Sequence, residues 1–343
     1  MSRAGIDLGV VMKLDLISFY AHGTTMDGFF FSFSAMGAVL VAMFLDALFG
    51  EPKILWRRAG HPIVWLGKFA ERIETVFNKG DQRIVRGAFS WLRVVSTATL
   101  IGFLLQIVCS WFAYGWIVVG FIGSIGLAAR SLDQHVRAVA DGLDQTVEEG
   151  RNAVSKIVGR DPESLDQDGV ARAAIESLAE NSSDGFVAPI FWFALFGLPG
   201  LFAYKSINTL DSMWGHRNPE FEKFGKVSAR VDDVVNWLPA RLTAFWVSFV
   251  MGTFSPLAAA FRDGPKHRSI NAGWPEAAFA CALGLSLAGP RAYGGEIVND
   301  AEMGTGSRNA SSSHIRAALR IFWFLWGAAA MTCCLLFLLG LLV

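Results

Sequence analysis

Long apolar runs alternate with polar segments along this chain. The clearest runs are the segment 29–49, interrupted only by Asp46, and the segment 320–343, which carries no charge after Arg320. A helix that rises about 1.5 Å per residue crosses the roughly 30 Å hydrocarbon layer of a bilayer in about 20 residues. Neither run shows the polar face that a helix on a soluble core would have. The pattern therefore predicts membrane-spanning helices at both positions.

Three more apolar segments extend this prediction. The segments 94–112 and 113–129 adjoin with no charge between them, which favours a hairpin of two spans. The segment 237–261 is interpreted as a further span, although it contains Arg241. We therefore expect an all-α integral membrane protein that forms one polytopic domain over 1–343. It should have about five transmembrane helices, re-entrant or short buried segments, and helical cytoplasmic loops.

The apolar segment 186–204 is open to two interpretations. Pro189 and the string Gly197-Leu198-Pro199-Gly200 interrupt it, so it either crosses the bilayer once or dips in and returns. Irregular backbone at membrane depth is tolerated only where protein buries it or where it lines a polar cavity. We favour the re-entrant interpretation, because the polar clusters on both sides of the segment look like one site. The stretch 277–289 is too short to cross and is expected to be buried or re-entrant.

Composition and charge support a membrane protein and exclude other classes. Hydrophobic residues make up 53% of the chain and charged residues 17%, against roughly 25% charged in average soluble domains. The formal net charge of +0 provides no bulk attraction to nucleic acid, so no nucleic-acid partner is expected. The segment 50–93 is strongly basic, and basic loops stay in the cytoplasm.

The candidate chemistry lies in three polar segments, 130–185, 205–236 and 262–316. In the first segment, Glu176, Glu180 and Asp184 are four apart and share one face of a predicted helix. Three carboxylates on one face repel each other unless a cation lies among them. Magnesium takes one or two carboxylates together with phosphate oxygens and water, so the cluster indicates a magnesium site. A solvated helix end is the alternative interpretation.

Two clusters follow in the segment 205–236. Lys205, Asn208 and Asp211 are three apart at the far end of the apolar segment, where helix caps are the alternative. Arg230, Asp232, Asp233 and Asn236 lead into the span that contains Arg241. An ionisable residue within a span is a functional hypothesis by default, and a charge pair that joins two helices is the alternative.

Two weaker signals complete the set. Asn271 precedes Pro275 at a predicted helix start, and helix N-termini of that kind bind phosphate. His61 precedes Pro62, which favours an extended backbone and could turn the ring toward a site, although a lone histidine is commonly structural.

Several longer strings contain these clusters and occur in one order over roughly residues 36–300. They are DALFGEP, GHPIVWLGK, ARSLDQH, VARAAIESLAENSSDGFVAPIFW, NTLDSMWGHR, FGKVSARVDDVVNWLPARLTA, SINAGWPEAAFACALG and AYGGE. In these strings the chain resembles the CbiB/CobD family of cobalamin biosynthesis, whose activity is that of adenosylcobinamide-phosphate synthase. Two positions depart from the family pattern: Glu51 stands where Asp is expected, and His216 where Tyr is usual.

The resemblance implies an ATP- and Mg²⁺-dependent ligase of the bacterial inner membrane with its active site facing the cytoplasm. The enzyme would join a carboxylate of adenosylcobyric acid to aminopropanol phosphate or ethanolamine phosphate in an amide bond. A carboxylate is a poor electrophile, and its phosphorylation supplies a leaving group. That mechanism needs magnesium on the ATP phosphates, a base for the incoming ammonium group and donors for the developing oxyanion.

Under this resemblance the candidate residues fall into three sets. The catalytic acids would be Glu180, Asp184, Asp211, Asp232 and Asp233. The magnesium ligands would come from Glu176, Glu180, Asp184 and Asp211. The substrate- and phosphate-binding residues would be Asn181, Lys205, Asn208, Arg230, Asn236, Arg241, Asn271 and His61.

A membrane transporter, or a signalling scaffold of the same family without ligase activity, is the alternative function. A transporter should have related halves and polar residues at mid-span. Here the polar residues gather at span ends and no internal repeat is present. The expected surroundings are a lipid bilayer, and the sequence leaves open whether the chain forms a homo-oligomer and which amino-alcohol phosphate it uses.

Overall fold

The computed structural model describes residues 33–50, 56, 60–159, 162–216, 218–289, 291–293, 296–298 and 300–342. The helices are α1 (Phe33–Phe49), α2 (Pro62–Phe77), α3 (Arg83–Ser110), α4 (Gly115–Ser124), α5 (Ala129–Leu143), α6 (Val147–Val154), α7 (Gln167–Asn181), α8 (Ala188–Trp214), α9 (Lys226–Val235), α10 (Trp237–Val250), α11 (Ser255–Asp263), α12 (Gly273–Leu283) and α13 (Ser312–Gly340). A π-helical turn, Ser182–Val187, joins α7 to α8, and a 3-10 turn, Gly264–Lys266, follows α11. The predicted all-α class is confirmed. Glu51 and the first residues of the segment 29–49 lie outside the described residues.

The short strands of the described residues lie between α12 and α13. They are β1 (Leu287–Ala288), β2 (Arg291–Tyr293), β3 (Glu296–Val298) and β4 (Glu302–Met303), with β1 antiparallel to β4 and β2 antiparallel to β3. Leu287 pairs with Met303. The apolar stretch 277–289 therefore contains the end of α12 and then β1. The helix ends at Leu283 and is followed by Gly284, whose φ of 67° is the left-handed conformation typical of a glycine after a helix.

Four stretches are long and apolar enough to cross a membrane, by length and composition: Arg83–Ser110, Gly115–Leu143, Gln167–Trp214 and Ser312–Gly340. A shorter apolar helix coincides with α1. Large apolar side chains such as Leu100, Phe121 and Leu335 are exposed on the outer surfaces of these stretches. Such surfaces are expected where lipid, rather than water, surrounds the protein.

Two predicted spans differ from the helices in the structure. The segment 237–261 is divided into α10 and α11, and the connection between them contains Gly252 at a φ of +65°. The 14 residues of α10 rise only about 21 Å, which is shorter than a bilayer core of about 30 Å. The apolar residues 320–340 are the second part of a longer helix, because α13 begins at Ser312 and ends at Gly340.

The segment 186–204 folds back on itself. The helix α8 breaks at Gly197, whose φ of 64° and ψ of −151° are not helical. Tyr204 Oη lies 2.9 Å from the carbonyl oxygen of Asp184, although the two residues are 20 positions apart. A continuous helix would separate them by about 30 Å. The two arms of α8, before and after Gly197, therefore run back beside each other as a helical hairpin.

The tip of this hairpin is held by α3. The backbone N–H of Leu198, which follows the break, donates to Oε1 of Gln106 at 2.8 Å. Gly102 lies so close that a Cβ atom there would meet the Leu198 carbonyl oxygen at 2.7 Å. Polar backbone freed by the break is thus satisfied by protein, as irregular backbone at membrane depth requires. The segment has the folded-back geometry that the re-entrant interpretation requires. The side of the membrane that each arm faces stays a prediction.

A second, smaller hydrophobic core lies beneath α2. Ala70, Val94, Leu210, Trp214 and Phe224 are buried there. This cluster packs α2 and α3 against the second arm of α8, so it fixes the part of the chain that carries the candidate acids.

A polar contact also joins α1 to α5. Oδ2 of the buried Asp46 accepts from the backbone N–H of Ala129, at the start of α5, at 2.8 Å.

Candidate active site

The candidate site begins at the π-helical turn. Turns of this kind are rare and are frequently found at functional sites. Here the turn Ser182–Val187 separates α7 from the first arm of α8, and it carries the half-buried Asp184. Ser182 donates its hydroxyl to the Leu178 carbonyl at 2.6 Å, which satisfies an acceptor where the hydrogen-bonding pattern changes.

A short hydrogen-bonded chain joins this turn to α9. Tyr204 Oη contacts the carbonyl oxygen of Asp184 and Oδ1 of Asn236, each at 2.9 Å. Nδ2 of Asn236 donates to Oδ2 of Asp232 at 2.9 Å. A phenol has one proton to donate, so its two acceptors share it or compete for it. These hydrogen bonds link the π-helical turn and the second arm of the hairpin to the beginning of α10.

Acidic side chains converge around this chain. Asp184 is acted on electrostatically by Asp232, Glu180 and Asp211. Asp232 lies near Asp211, Asp233 and the amides of Asn236 and Asn208. The acids come from the π-helical turn, the end of the second arm of α8, and α9. The five acids named as catalytic candidates are therefore neighbours in space, and their catalytic role stays a prediction.

Burial removes Asp232 from water and raises its pKa to about 7, and the Asp211 charge adds to the effect. The hydrogen bond from Asn236 opposes the shift, since it favours the charged form, and the nearby amide of Asn208 acts in the same direction. A carboxyl group that titrates near neutral pH can accept a proton from a substrate and release it again. Oδ1 of Asp232 is buried and accepts no hydrogen bond from any residue that the structure describes.

The described residues contain no group of three or more His, Cys, Asp or Glu side chains arranged to hold a metal ion by themselves. Magnesium commonly takes only one or two carboxylates and completes its shell with phosphate oxygens and water. Asp184 and Asp211, with the unpartnered Oδ1 of Asp232 beside them, fit that kind of shared site. Their charges also repel each other, so a cation would stabilise the cluster.

Glu176 is placed elsewhere than the metal prediction expected. Its Oε1 accepts the backbone N–H of Ala288, on β1, at 2.7 Å, and its side chain is buried. It is not among the charges that act on Asp184, whereas Glu180 is. The structure therefore brings Glu180 and not Glu176 to the acid cluster.

Arg241 is engaged by protein on several sides. Its guanidinium donates to Oδ1 of Asn271 at 2.7 Å and to the Ile270 carbonyl at 3.0 Å. It also lies over the rings of Trp237 and Trp274, 4.7 and 4.3 Å from their centroids. Nδ2 of Asn271 in turn donates to the Asp233 carbonyl at 2.9 Å. These contacts join α9 and α10 to the segment before α12. They favour the alternative, in which Arg241 links helices, over a guanidinium that is free to bind phosphate.

The remaining predicted residues occupy varied positions. Nδ2 of Asn181 donates to the Ser177 carbonyl at 2.9 Å within α7. Lys205 is half-buried on the second arm of α8, and Arg230 is exposed on α9. His61 caps α2, because its Nδ1 accepts from the Ile63 backbone N–H at 3.2 Å. The role of each in binding phosphate stays a prediction.

Sequence reasoning missed Tyr204 and Trp192. Trp192, on the first arm of α8, donates Nε1 to the Val235 carbonyl at 3.1 Å and so joins the hairpin to α9. Both residues lie inside an apolar run, where aromatic side chains are expected simply to pack. The signal that could have identified them is their polar tip, since buried Tyr and Trp usually find a hydrogen-bond partner.

Comparisons with known proteins show which family model and which relatives the chain matches. Residues 39–322 match the family model described as CobD/Cbib protein. The chain is 48% identical over 297 residues to a cobalamin biosynthesis protein CobD of Brucella suis biovar 1, covering 82% of this chain and 91% of the relative. A protein of the same name from Rhodobacter capsulatus is 48% identical over 275 residues, covering 78% and 86%. The one from Rhizobium meliloti is 43% identical over 321 residues, covering 85% and 96%. No solved structure matches.

Proposed function

Because this chain belongs to the CobD/CbiB family and its relatives above are named for cobalamin biosynthesis, we propose that it is the adenosylcobinamide-phosphate synthase of that pathway. In this proposal it joins adenosylcobyric acid to aminopropanol phosphate or ethanolamine phosphate at the expense of ATP. The observation that supports it most is the convergence of the acids around Asp232, whose pKa lies near neutrality.

The reaction has two steps. The corrinoid carboxylate oxygen attacks the γ-phosphorus of ATP, ADP leaves, and an acyl phosphate forms. The amine nitrogen then attacks the acyl carbon, inorganic phosphate leaves, and the amide bond remains. One proton must leave the incoming ammonium group before its nitrogen can attack. Magnesium bound with ATP would neutralise phosphate charge and orient the γ-phosphoryl group.

The acid cluster suits both requirements. Asp184 and Asp211, on the turn and on the second arm of α8, would hold the magnesium that accompanies ATP. Asp232 would accept the proton from the ammonium group, because its pKa near 7 lets it exist in either form at neutral pH. Asn208 and Asn236 beside it would keep the carboxylate oriented.

The test is a reconstituted reaction with purified protein, adenosylcobyric acid, an aminopropanol phosphate and magnesium-ATP. We expect ADP release in equal amount to the corrinoid amide, which chromatography resolves. Asp211→Asn should remove both products, since a lost metal carboxylate removes charge stabilisation in the transition state. Glu149→Gln is the matched control, because Glu149 is an exposed acid on α6. No ADP release by the unaltered protein with both substrates present would reject the proposal.

A transporter or a non-catalytic scaffold is the second candidate. The break of α8 at Gly197 is the observation in its favour, since transporters build substrate sites from discontinuous helices. Thermal unfolding separates the two candidates. Magnesium-ATP should raise the unfolding temperature of a ligase that binds it, and it should leave a transporter or scaffold without a nucleotide site unchanged.

A further inference from the structure

The helix α2 has an exposed surface that neither the hydrophobic cores nor the acid cluster uses. Its inner side contributes the fully buried Ala70, with Leu66, Ile73 and Phe77 packed beside it against α3 and α8. On the outer side, Trp65 is 54% exposed, Phe69 39% and Val76 61%. With about 100° of rotation per residue, these three side chains occupy one strip along the helix. Such an apolar strip is unfavourable in water.

Two cations lie beside this strip. Lys68 and Arg72 are exposed, and the helical rotation places both within about 60° of Trp65. Glu71 and Thr75 lie further around the exposed side, away from Phe69 and Val76. From one edge to the other, the surface of α2 is therefore apolar and then cationic, and Glu71, Thr75 and the exposed Val64 follow. Helices that lie in a membrane–water interface combine an apolar side with Lys and Arg on the polar side.

The position of α2 next to a candidate span also fits a helix that lies in the membrane–water interface. The helix α3 begins at Arg83, only a short turn after α2 ends at Phe77, and it exposes Phe89 and Leu92. The corner between the helices is held in place, because Asn78 and Arg83 both donate to the Glu220 carbonyl at 3.2 Å. The exposed strip of α2 thus lies where a membrane-spanning helix starts.

We propose that α2 lies in the membrane–water interface and that Lys68 and Arg72 bind the phosphate groups of anionic phospholipids. Trp65, Phe69 and Val76 enter the acyl region beneath them. Aromatic and basic side chains are the groups that favour this depth. Because α2 packs against Leu210 and Trp214, on either side of Asp211 in the sequence, this contact sets the depth of the acid cluster relative to the lipid headgroups. The inference does not depend on the ligase reaction.

Spin labels on single cysteines test the orientation of the helix. The protein, with its four native cysteines replaced by serine, is reconstituted in bilayers and labelled at a cysteine introduced at position 65, 69, 71, 75 or 76. Labels at 65, 69 and 76 should collide with oxygen, which concentrates in lipid, and labels at 71 and 75 with a water-soluble nickel chelate. Equal access of the nickel chelate to all five positions would overturn the interfacial orientation.

Lipid charge tests the headgroup contact. A label at position 76 is compared in phosphatidylcholine alone and in phosphatidylcholine with one-third phosphatidylglycerol. The ratio of label immersed in the bilayer to label withdrawn into water should be higher with phosphatidylglycerol. The increase should be roughly fivefold for each cation near the surface. The double variant Lys68→Gln/Arg72→Gln should lose this rise, whereas Lys156→Gln, an exposed lysine after α6, should keep it. An immersed label that does not respond to phosphatidylglycerol, or a rise that survives in the double variant, would overturn the anionic-lipid contact.

Discussion

Tyr204 reaches back across the hairpin of α8 and places its phenol oxygen 2.9 Å from the carbonyl oxygen of Asp184. The same oxygen lies 2.9 Å from Oδ1 of Asn236. One hydroxyl thus joins the π-helical turn, the second arm of the hairpin and the start of α10. It is the closest observed link between the elements that carry the candidate acids.

Removal of that hydroxyl should weaken both the fold and the site. Tyr204→Phe would leave the buried Asn236 Oδ1 and the Asp184 carbonyl without this donor, which typically costs about 1–3 kcal/mol. We expect a lower unfolding temperature together with a lower kcat for ATP-dependent amide formation. Tyr114→Phe is the control, since Tyr114 is exposed in the turn before α4. Full activity in Tyr204→Phe would mean that the hydroxyl does not position the acids.

The pKa of Asp232 predicts a pH-dependent change in stability. The folded-state pKa of about 7 lies above the ordinary aspartate value of 3.8, so the folded state binds more protons than the unfolded state between those values. Stability should therefore fall as pH rises from about 4 to 7 through this group, and level off above. Asp232→Asn should raise the unfolding temperature at pH 8 and have little effect at pH 4.

The same variant should be inactive. Asparagine cannot accept the ammonium proton, so amide formation should be lost while the fold becomes more stable at high pH. In the unaltered protein, activity should rise with pH as Asp232 loses its proton. An Asp232→Asn variant that is active, or that is less stable at pH 8, would contradict the assignment of a buried and functional carboxyl group.

The break in α8 predicts a site that requires glycine. Gly197 adopts φ 64° and ψ −151°, a region that residues with a Cβ enter only with strain of about 1–3 kcal/mol. Gly197→Ala should lower the free energy of unfolding by about that amount. Gly327→Ala, within α13, should not, because a Cβ there meets nothing within 4 Å. Thermal unfolding of both variants in one detergent makes the comparison.

Substitution of Arg241 separates a structural role from phosphate binding. Lysine can replace the charge, but it cannot reproduce two hydrogen bonds from a planar group that lies over two indole rings. We expect Arg241→Lys to remain folded, to unfold at a lower temperature and to have much lower ligase activity. Lost activity at an unchanged unfolding temperature would instead indicate a guanidinium that binds substrate phosphate. Unchanged activity and unfolding temperature would contradict both roles.

Cysteine labelling in intact cells tests the topology. The exposed positions Gln145, Glu222 and Pro265 lie in the three polar segments, and we predict that all three face the cytoplasm. A membrane-impermeant maleimide should modify single cysteines there only after the cells are opened, in a chain whose four native cysteines are replaced by serine. Modification of position 222 from outside would reject the re-entrant arrangement of the hairpin.

The sequence predicted the neighbourhood of the site better than its details. Acids spaced by four residues, and a Gly-Leu-Pro-Gly break between two polar clusters, pointed to one site beside a folded-back helix, because both patterns are local. The contacts of Glu176 with β1 and of Arg241 with Asn271 join segments 112 and 30 residues apart, which spacing within one segment cannot show. The division of 237–261 was hidden because hydropathy averages over the non-helical residues between α10 and α11.

The attachment of the hairpin tip limits how this site can open. Gln106 holds the Leu198 amide, and the close approach at Gly102 leaves no room for the tip to slide along α3. The hairpin therefore acts as a stationary wall. A widening of the acid cluster that admits a bulky substrate or releases a product is then expected from α9 and α10, which contact that wall through Asn236 and Trp192.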